Sequence, residues 1–349
     1  HLETYIFQYD ATGARIAAAL KRAAQRGVAV HLLIDGFGSH GLSRIVIQEM
    51  LAAGVQVLIY RQEFFSFRFK RYRLRRMHRK LAVMDASVAF VGGINIIDDC
   101  SEPDASFPRF DYAVQVAGPL LAEIHAAARH LWMLAAWVYF KKRWTNRSPV
   151  MASRLPAGHQ RASLVIRDNL RNRHSIERCY LRSIAVARRE IILANAYFLP
   201  GKHFRQALAR AAQRGVSVIL LLQGKSEYRL QHYAMHALYG HLLDAGISIY
   251  EYRHGYLHAK VAVIDSAWST VGSSNIDPFS LLLAREANVV ISDQVFAAEL
   301  RSSLQQALEE SYPVSLHSWK SRSRIKRSLN WMCYYFVRIL QGLLGYRRE

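Results

Sequence analysis

The sequence predicts an α/β fold built as two similar halves packed about a pseudo-twofold axis, with the reacting groups where the halves meet. Three observations carry this. His78-Arg79-Lys80 with Asp85 recurs as His258-Ala259-Lys260 with Asp265, and the run to Asn95 or Asn275 keeps its length: seven residues from His to Asp and 17 from His to Asn in both copies. The heptapeptide Arg-Ala-Ala-Gln-Arg-Gly-Val at 22–28 returns letter for letter at 210–216. Around both copies short Val-rich strands alternate with amphipathic helices, the pattern of a layered α/β protein.

The elements follow in matched order. A strand ends near Phe7 or Phe198, and an Ala-rich amphipathic helix runs over 14–26 or 203–214. Gly27 or Gly215 stops that helix as a C′ residue does. An apolar strand follows at 28–34 or 216–222. A second helix covers 43–53 or 228–245 and again stops at glycine, Gly54 or Gly246. Residues 55–60 or 247–252 form the next strand, and the motif strands are 80–84 and 260–264. The first motif strand turns back at Ala86-Ser87 into 88–91, which makes the sheet mixed. In the second half a helix-like stretch, 179–189, precedes the strand at 191–198. The first half has no counterpart, so the natural chain is expected to begin before His1. A linker with Pro149, Pro156 and Gly158 spans 141–161. The expected organisation is a first repeat at 1–145, a second at 160–310, and a tail at 311–349 that belongs to neither.

Composition narrows the partners. A net charge of +21 over 349 residues favours phosphate substrates, nucleic acid or an acidic membrane face. Cys100, Cys179 and Cys333 make neither a disulfide framework nor a zinc spacing. The histidines outside the motifs are dispersed, and neither a metal site nor a cofactor is expected.

Histidine and lysine at i and i+2 point to the same face of a strand. Two such strands set two imidazoles and two ammonium groups around one phosphate, with Lys80, Lys260, Asn95 and Asn275 holding its oxygens. This paired pattern resembles the phospholipase D superfamily, whose signature is HxKxxxxD. The resemblance implies two phospholipase D-like α/β/α sandwich repeats with the active site at their interface. It implies a covalent phosphohistidine formed by one histidine while the other protonates the leaving alcohol and deprotonates the incoming one. His78, Lys80, Asp85, His258, Lys260 and Asp265 are then the catalytic motif residues, the two aspartates more often structural. Family members orient each catalytic histidine with a carboxylate downstream of its motif. Asp111 and Glu286 stand at suitable positions. Ser273 occupies the place that Gly93 takes in the first motif, where many members have serine.

Nearly the whole chain resembles the bacterial cardiolipin synthases, the B type best. The residues that carry this are the stretch 78–95, Ile249-Tyr250-Glu251-Tyr252, and 272–280 with its Gly-Ser-Ser-Asn-Ile-Asp-Pro-Phe-Ser. The resemblance implies transfer of a phosphatidyl group from one phosphatidylglycerol to the headgroup hydroxyl of a second, with release of glycerol. Phosphatidylserine synthase, a hydrolytic phospholipase D and a nuclease are the alternatives. Nucleases of the superfamily are usually single-motif chains that dimerise, so nucleic acid fits less well as a partner.

Two further stretches suit an anionic membrane surface. Nine of the 20 residues at 61–80 are basic, interleaved with Phe64, Phe65, Phe67, Phe69 and Tyr72. They read as a mouth for anionic headgroups, although single-stranded nucleic acid or a solvated loop accounts for them too. In the tail, Lys320, Arg322, Arg324, Lys326 and Arg327 lead into the apolar run 331–346, an interfacial pattern too short to span a bilayer. Helix 131–144 reads first as a core helix and second as another interfacial contact. The expected location is peripheral, on the cytoplasmic face of the inner membrane. Sequence leaves the oligomeric state open.

Overall fold

The computed structural model describes residues 1–61, 75–99, 108–140, 151–152, 155–225 and 228–343. The first half runs β1 (Leu2–Thr4), α1 (Ala11–Gln25), β2 (His31–Asp35), α2 (Arg44–Ala52), β3 (Gln56–Tyr60), β4 (Lys80–Met84), β5 (Val88–Gly92), β6 (Ala113–Val116) and α3 (Leu120–Val138). The second half runs β7 (Arg161–Arg167), α4 (Ser175–Val186), β8 (Glu190–Asn195), α5 (Lys202–Gln213), β9 (Ser217–Gln223), α6 (Arg229–His236), α7 (Tyr239–Asp244), β10 (Ser248–Tyr252), β11 (Lys260–Ile264), β12 (Trp268–Gly272), α8 (Pro278–Leu282), β13 (Glu286–Ser292) and α9 (Gln294–Glu309). It is followed by β14 (Tyr312–Pro313), α10 (Leu316–Lys320) and α11 (Arg324–Leu343). Most of the basic–aromatic stretch at 61–80 and of the linker lies outside the described residues.

The sheets repeat each other. One has the order β3-β2-β1-β4-β5-β6, and β10-β9-β8-β11-β12-β13 of the other matches it strand for strand, with β14 and β7 added at its edges. In both, three parallel strands meet an antiparallel motif strand, so the sheet is mixed as predicted. The motif strand therefore starts at the carboxyl ends of the parallel strands, where open α/β sheets bind their ligands.

Gly27 (φ 89°) and Gly215 (φ 86°) take the left-handed conformation that ends the two equivalent helices. The turn after the first motif strand begins at Asp85, one residue earlier than predicted. Asp85 and Ala86, like Asp265 and Ser266, have φ near +50°, the left-handed region. The long helix predicted at 228–245 is two helices, α6 and α7. His236, Ala237, Leu238 and Tyr239 are all buried, and four consecutive residues cannot share one face of a straight helix.

The halves pack through their sheets. Ala287, Val289 and Ile291 of β13 join Leu81, Val83, Val91 and the inner face of α3 in one core. In the reciprocal core Phe110, Tyr112 and Val114 lie against β11 and α9. The chain after 310 packs on the second half. β14 pairs with β10, Tyr334 and Val337 of α11 are buried in its core, and Arg205 donates to the Tyr334 hydroxyl at 3.1 Å. The outer face of α11 leaves Met332, Tyr335, Phe336 and Ile339 exposed.

One difference between the halves makes a stability prediction. Arg79 is 4% exposed and holds the buried Glu3 by two hydrogen bonds, 2.8 and 2.6 Å. Burial pushes the Glu3 carboxyl up in spite of that guanidinium, so desolvation offsets much of the pairing. The equivalent residues of the second half, Ala259 and Ala194, form an apolar contact zone with 0% exposure. Arg79→Ala strands a buried charge and is expected to cost about 3–5 kcal/mol in denaturant unfolding. The Glu3→Ala/Arg79→Ala double variant should regain most of that loss. A double variant no more stable than the single would refute this account.

Candidate active site

Each motif histidine sits two residues before its strand, and its backbone is fixed by the opposite half. His78 N donates to Arg285 O at 3.0 Å, and Arg285 N to Arg76 O at 2.8 Å. The mirror pair is His258 N to Phe110 O and Phe110 N to Tyr256 O, both 2.9 Å. The residue after each bridging position is a carboxylate, so the bridges carry Glu286 to His78 and Asp111 to His258. His78 Nδ1 lies 3.0 Å from Glu286 Oε1, and His258 Nδ1 lies 2.6 Å from Asp111 Oδ2. The sequence singled out these two carboxylates, each downstream of its own motif; in the structure each contacts the histidine of the other half.

The lysines complete the constellation. Lys80 Nζ donates to His78 O at 2.8 Å, and Lys260 Nζ donates to His258 O. Both lysines are almost fully buried. The charge of Lys260 acts on His78 and that of Lys80 on His258, which places both motifs in one electrostatic site. Burial pushes the His258 imidazole down to about 4, with Lys260 helping and Asp111 opposing. His78 is lowered for the same leading reason, with Glu286 opposing. Burial, and then repulsion from Lys260, holds the Lys80 amine well below its ordinary range. Burial raises both carboxyls, but Lys260 and His258 outweigh it at Asp111, as His78 and Lys80 do at Glu286, so both lie below the usual range.

The halves differ in how the carboxylates are seated. The Ser273 hydroxyl donates to Glu286 Oε2 at 2.5 Å and accepts from Ala287 N at 3.0 Å. At the equivalent Gly93, an added Cβ would lie 2.3 Å from Asp111 Oδ1. The shorter carboxylate fills the space that the serine side chain takes in the other half. Gly93 for serine thus goes with aspartate for glutamate.

Asn95 Oδ1 accepts from Ile6 N at 3.2 Å, and Asn275 is 4% exposed. Asp85 and Asp265, grouped with the catalytic residues from the sequence, lie elsewhere. Each is in the hairpin turn at the far end of its motif strand, seven residues from its histidine, or roughly 20 Å along the strand. Asp265 accepts from the backbone N–H groups of Arg188, Arg189 and Glu190 at 2.8, 2.7 and 3.0 Å. Its carboxylate ties the turn to the start of β8, since three backbone donors occupy it.

Several site residues escaped the sequence reading. Tyr5 meets the His78 ring edge-on at 4.8 Å, with the Lys80 ammonium 5.3 Å from its centroid. Asp35, at the end of β2, accepts from Met77 N at 2.8 Å, and Gln223, at the end of β9, accepts from Leu257 N at 2.8 Å. The only signal available for these two was a polar residue closing an apolar strand.

Known proteins match this architecture. A family profile described as "Cardiolipin synthase, PLD-like domain" covers residues 1–102 and 180–308. Cardiolipin synthase B of Escherichia coli K12 is 38% identical over 99% of this chain and 83% of its own length. The minor cardiolipin synthase ClsB of Bacillus subtilis is 28% identical over 95% of this chain and 81% of its own. The crystal structure of phosphatidylserine synthase from Haemophilus influenzae has the same fold, with a TM-score of 0.71 at 12% identity, over 98% of this chain and 88% of that one. The duplicated sheet, the paired motifs and this near full-length identity place the chain in the cardiolipin synthase family of phospholipase D-like proteins.

Proposed function

We propose that the protein is a phosphatidyl transferase that makes cardiolipin from two phosphatidylglycerol molecules and releases glycerol. The observation that carries the mechanism is the exchanged pair of histidine–carboxylate contacts around two buried lysines. An ionised carboxylate only accepts, so each neutral imidazole keeps its proton on Nδ1 and turns the Nε2 lone pair to the cleft. A phosphodiester between Lys80 and Lys260 offsets their mutual repulsion and raises both imidazoles, so the proton donor is loaded when substrate arrives. Asn95, Asn275 and Ser273 support the phosphate and its carboxylate neighbours.

In this reading His78 Nε2 attacks phosphorus. The P–N bond forms as the P–O bond to glycerol breaks, and protonated His258 gives its proton to the departing oxygen. The second lipid's hydroxyl then passes its proton to His258 and attacks phosphorus, and the P–N bond breaks. The outer face of α11, with the basic residues before it and in its first turn, rests on an anionic membrane surface, and residues 1–145 and 160–310 act as the two catalytic repeats. Among the described residues no helix is long and apolar enough to cross a membrane, which accords with peripheral contact.

The test is mass spectrometry of lipids after incubation with phosphatidylglycerol vesicles, with and without phosphatidylethanolamine. Cardiolipin and stoichiometric glycerol from phosphatidylglycerol alone are expected. Phosphatidic acid as the sole product would identify a hydrolase, and a strict need for phosphatidylethanolamine a different donor.

A further inference from the structure

We propose that the cleft between the carboxyl ends of β8 and β9, helix α6 and helix α11 binds the hydroxyl-bearing headgroup of the accepting lipid, as a vicinal diol. This rests on the phosphatidyl-transfer reading above.

Its walls connect to the catalytic strand. Ala196 N donates to the carbonyl of Ala259, between His258 and Lys260, at 3.1 Å. Gln223 accepts from Leu257 N, one residue before His258. On the other wall, the Tyr228 phenol is near enough for its charge to act on Tyr5, whose ring lies against His78.

The residues lining the cleft include polar atoms that the described residues leave unpaired. Gln223 is 5% exposed, and its Nε2 has no hydrogen-bond partner among the described residues. Gln231 Oε1 is also buried there without a partner among them. Leaving a buried polar group so is unfavourable, and a ligand that pairs with it removes that cost. One leftover is a donor and the other an acceptor, and a hydroxyl group answers both. Burial holds the nearby His232 imidazole down at about 4, so at neutral pH it is uncharged and offers one donor and one acceptor. Lys225 and Asp277 bring one charge of each sign to the lining. Such a lining suits an uncharged polyol better than a second bare phosphate.

The matching position of the first half is filled differently. Asp35 replaces Gln223, and its oxygens accept from Met77, Phe37 and Gly38. A transfer between two lipids needs distinct places for donor and acceptor, and Gln223 against Asp35 is one of the places where the near-symmetric halves differ. Met235 and Val337 form the apolar side of the cleft. Val337 belongs to α11, whose outer face is apolar and exposed, so a headgroup in the cleft can leave its chains along that helix.

The test uses the full chain and two variants, Gln231→Leu and His232→Phe. The second keeps a ring at the cleft wall and removes the imidazole's donor and acceptor. One arm measures the ratio of cardiolipin to phosphatidic acid formed from phosphatidylglycerol vesicles. The other adds glycerol and 1-propanol in equal amounts and measures the ratio of the two transphosphatidylation products. In both variants each ratio should fall about tenfold, equivalent to ~1.4 kcal/mol, with donor consumption reduced less than threefold. Ratios unchanged in both variants would overturn the assignment. A change in the glycerol arm alone would make the cleft a site for released glycerol and overturn its role as a lipid acceptor site. A wild type that makes no cardiolipin would overturn the phosphatidyl-transfer reading itself, and this inference with it.

Discussion

Replacement of His78 or His258 by alanine is expected to lower cardiolipin formation by about 10³–10⁶-fold, since each supplies a step that the other cannot. The two losses should differ in kind. A donor lipid with a good leaving group, such as a nitrophenyl ester, needs no proton from the protein. It should restore phospho-enzyme formation in His258→Ala but not in His78→Ala. Acid-quench trapping and peptide mapping should find the phosphoryl label on His78. Label on His258 reverses the two roles, and a His78→Ala variant that retains most of its activity removes the two-histidine mechanism altogether.

The exchanged carboxylates give the second large effect. Glu286→Gln and Asp111→Asn should each cost about 10²–10⁴-fold in kcat/KM, because an amide can accept or donate and no longer fixes the imidazole tautomer. Each variant should copy the histidine of the other half. Glu286→Gln should lose the phospho-enzyme as His78→Ala does, and the good leaving group should rescue Asp111→Asn as it rescues His258→Ala. The opposite pairing would contradict the 3.0 and 2.6 Å contacts. The pH dependence has a definite sign. The Asp111 charge raises the His258 pKa against burial and Lys260. Asp111→Asn therefore lowers it further, and less of the protonated acid exists at any given pH. The alkaline limb of the Asp111→Asn profile should move to lower pH than in the wild type. A profile that stays in place would mean that the carboxylate orients the ring without tuning its charge.

The lower stability cost expected for losing both Glu3 and Arg79 belongs to the same asymmetry. One repeat solves a buried position with an ion pair and the other with two alanines. The positions are interchangeable in the fold but not one residue at a time.

Sequence alone determined the α/β class and the duplication and singled out the paired histidines and lysines, all of which are written in spacing; Asp111 and Glu286 were singled out by the family resemblance. Strand and helix periods, glycine stops at Gly27 and Gly215 and the His–x–Lys face depend on neighbours a few residues apart. Only the tertiary structure decided which carboxylate serves which histidine, for those partners are 208 and 147 residues apart and a pseudo-twofold permits either pairing. It also put Asp85 and Asp265 in hairpin turns with left-handed backbone, and three backbone donors claim the Asp265 carboxylate. It split the 228–245 helix to bury four consecutive residues, and it brought Tyr5, Asp35 and Gln223 to the site. In each case the physical reason is the same: burial and hydrogen bonding across the packed halves select among local options that the chain by itself leaves equal.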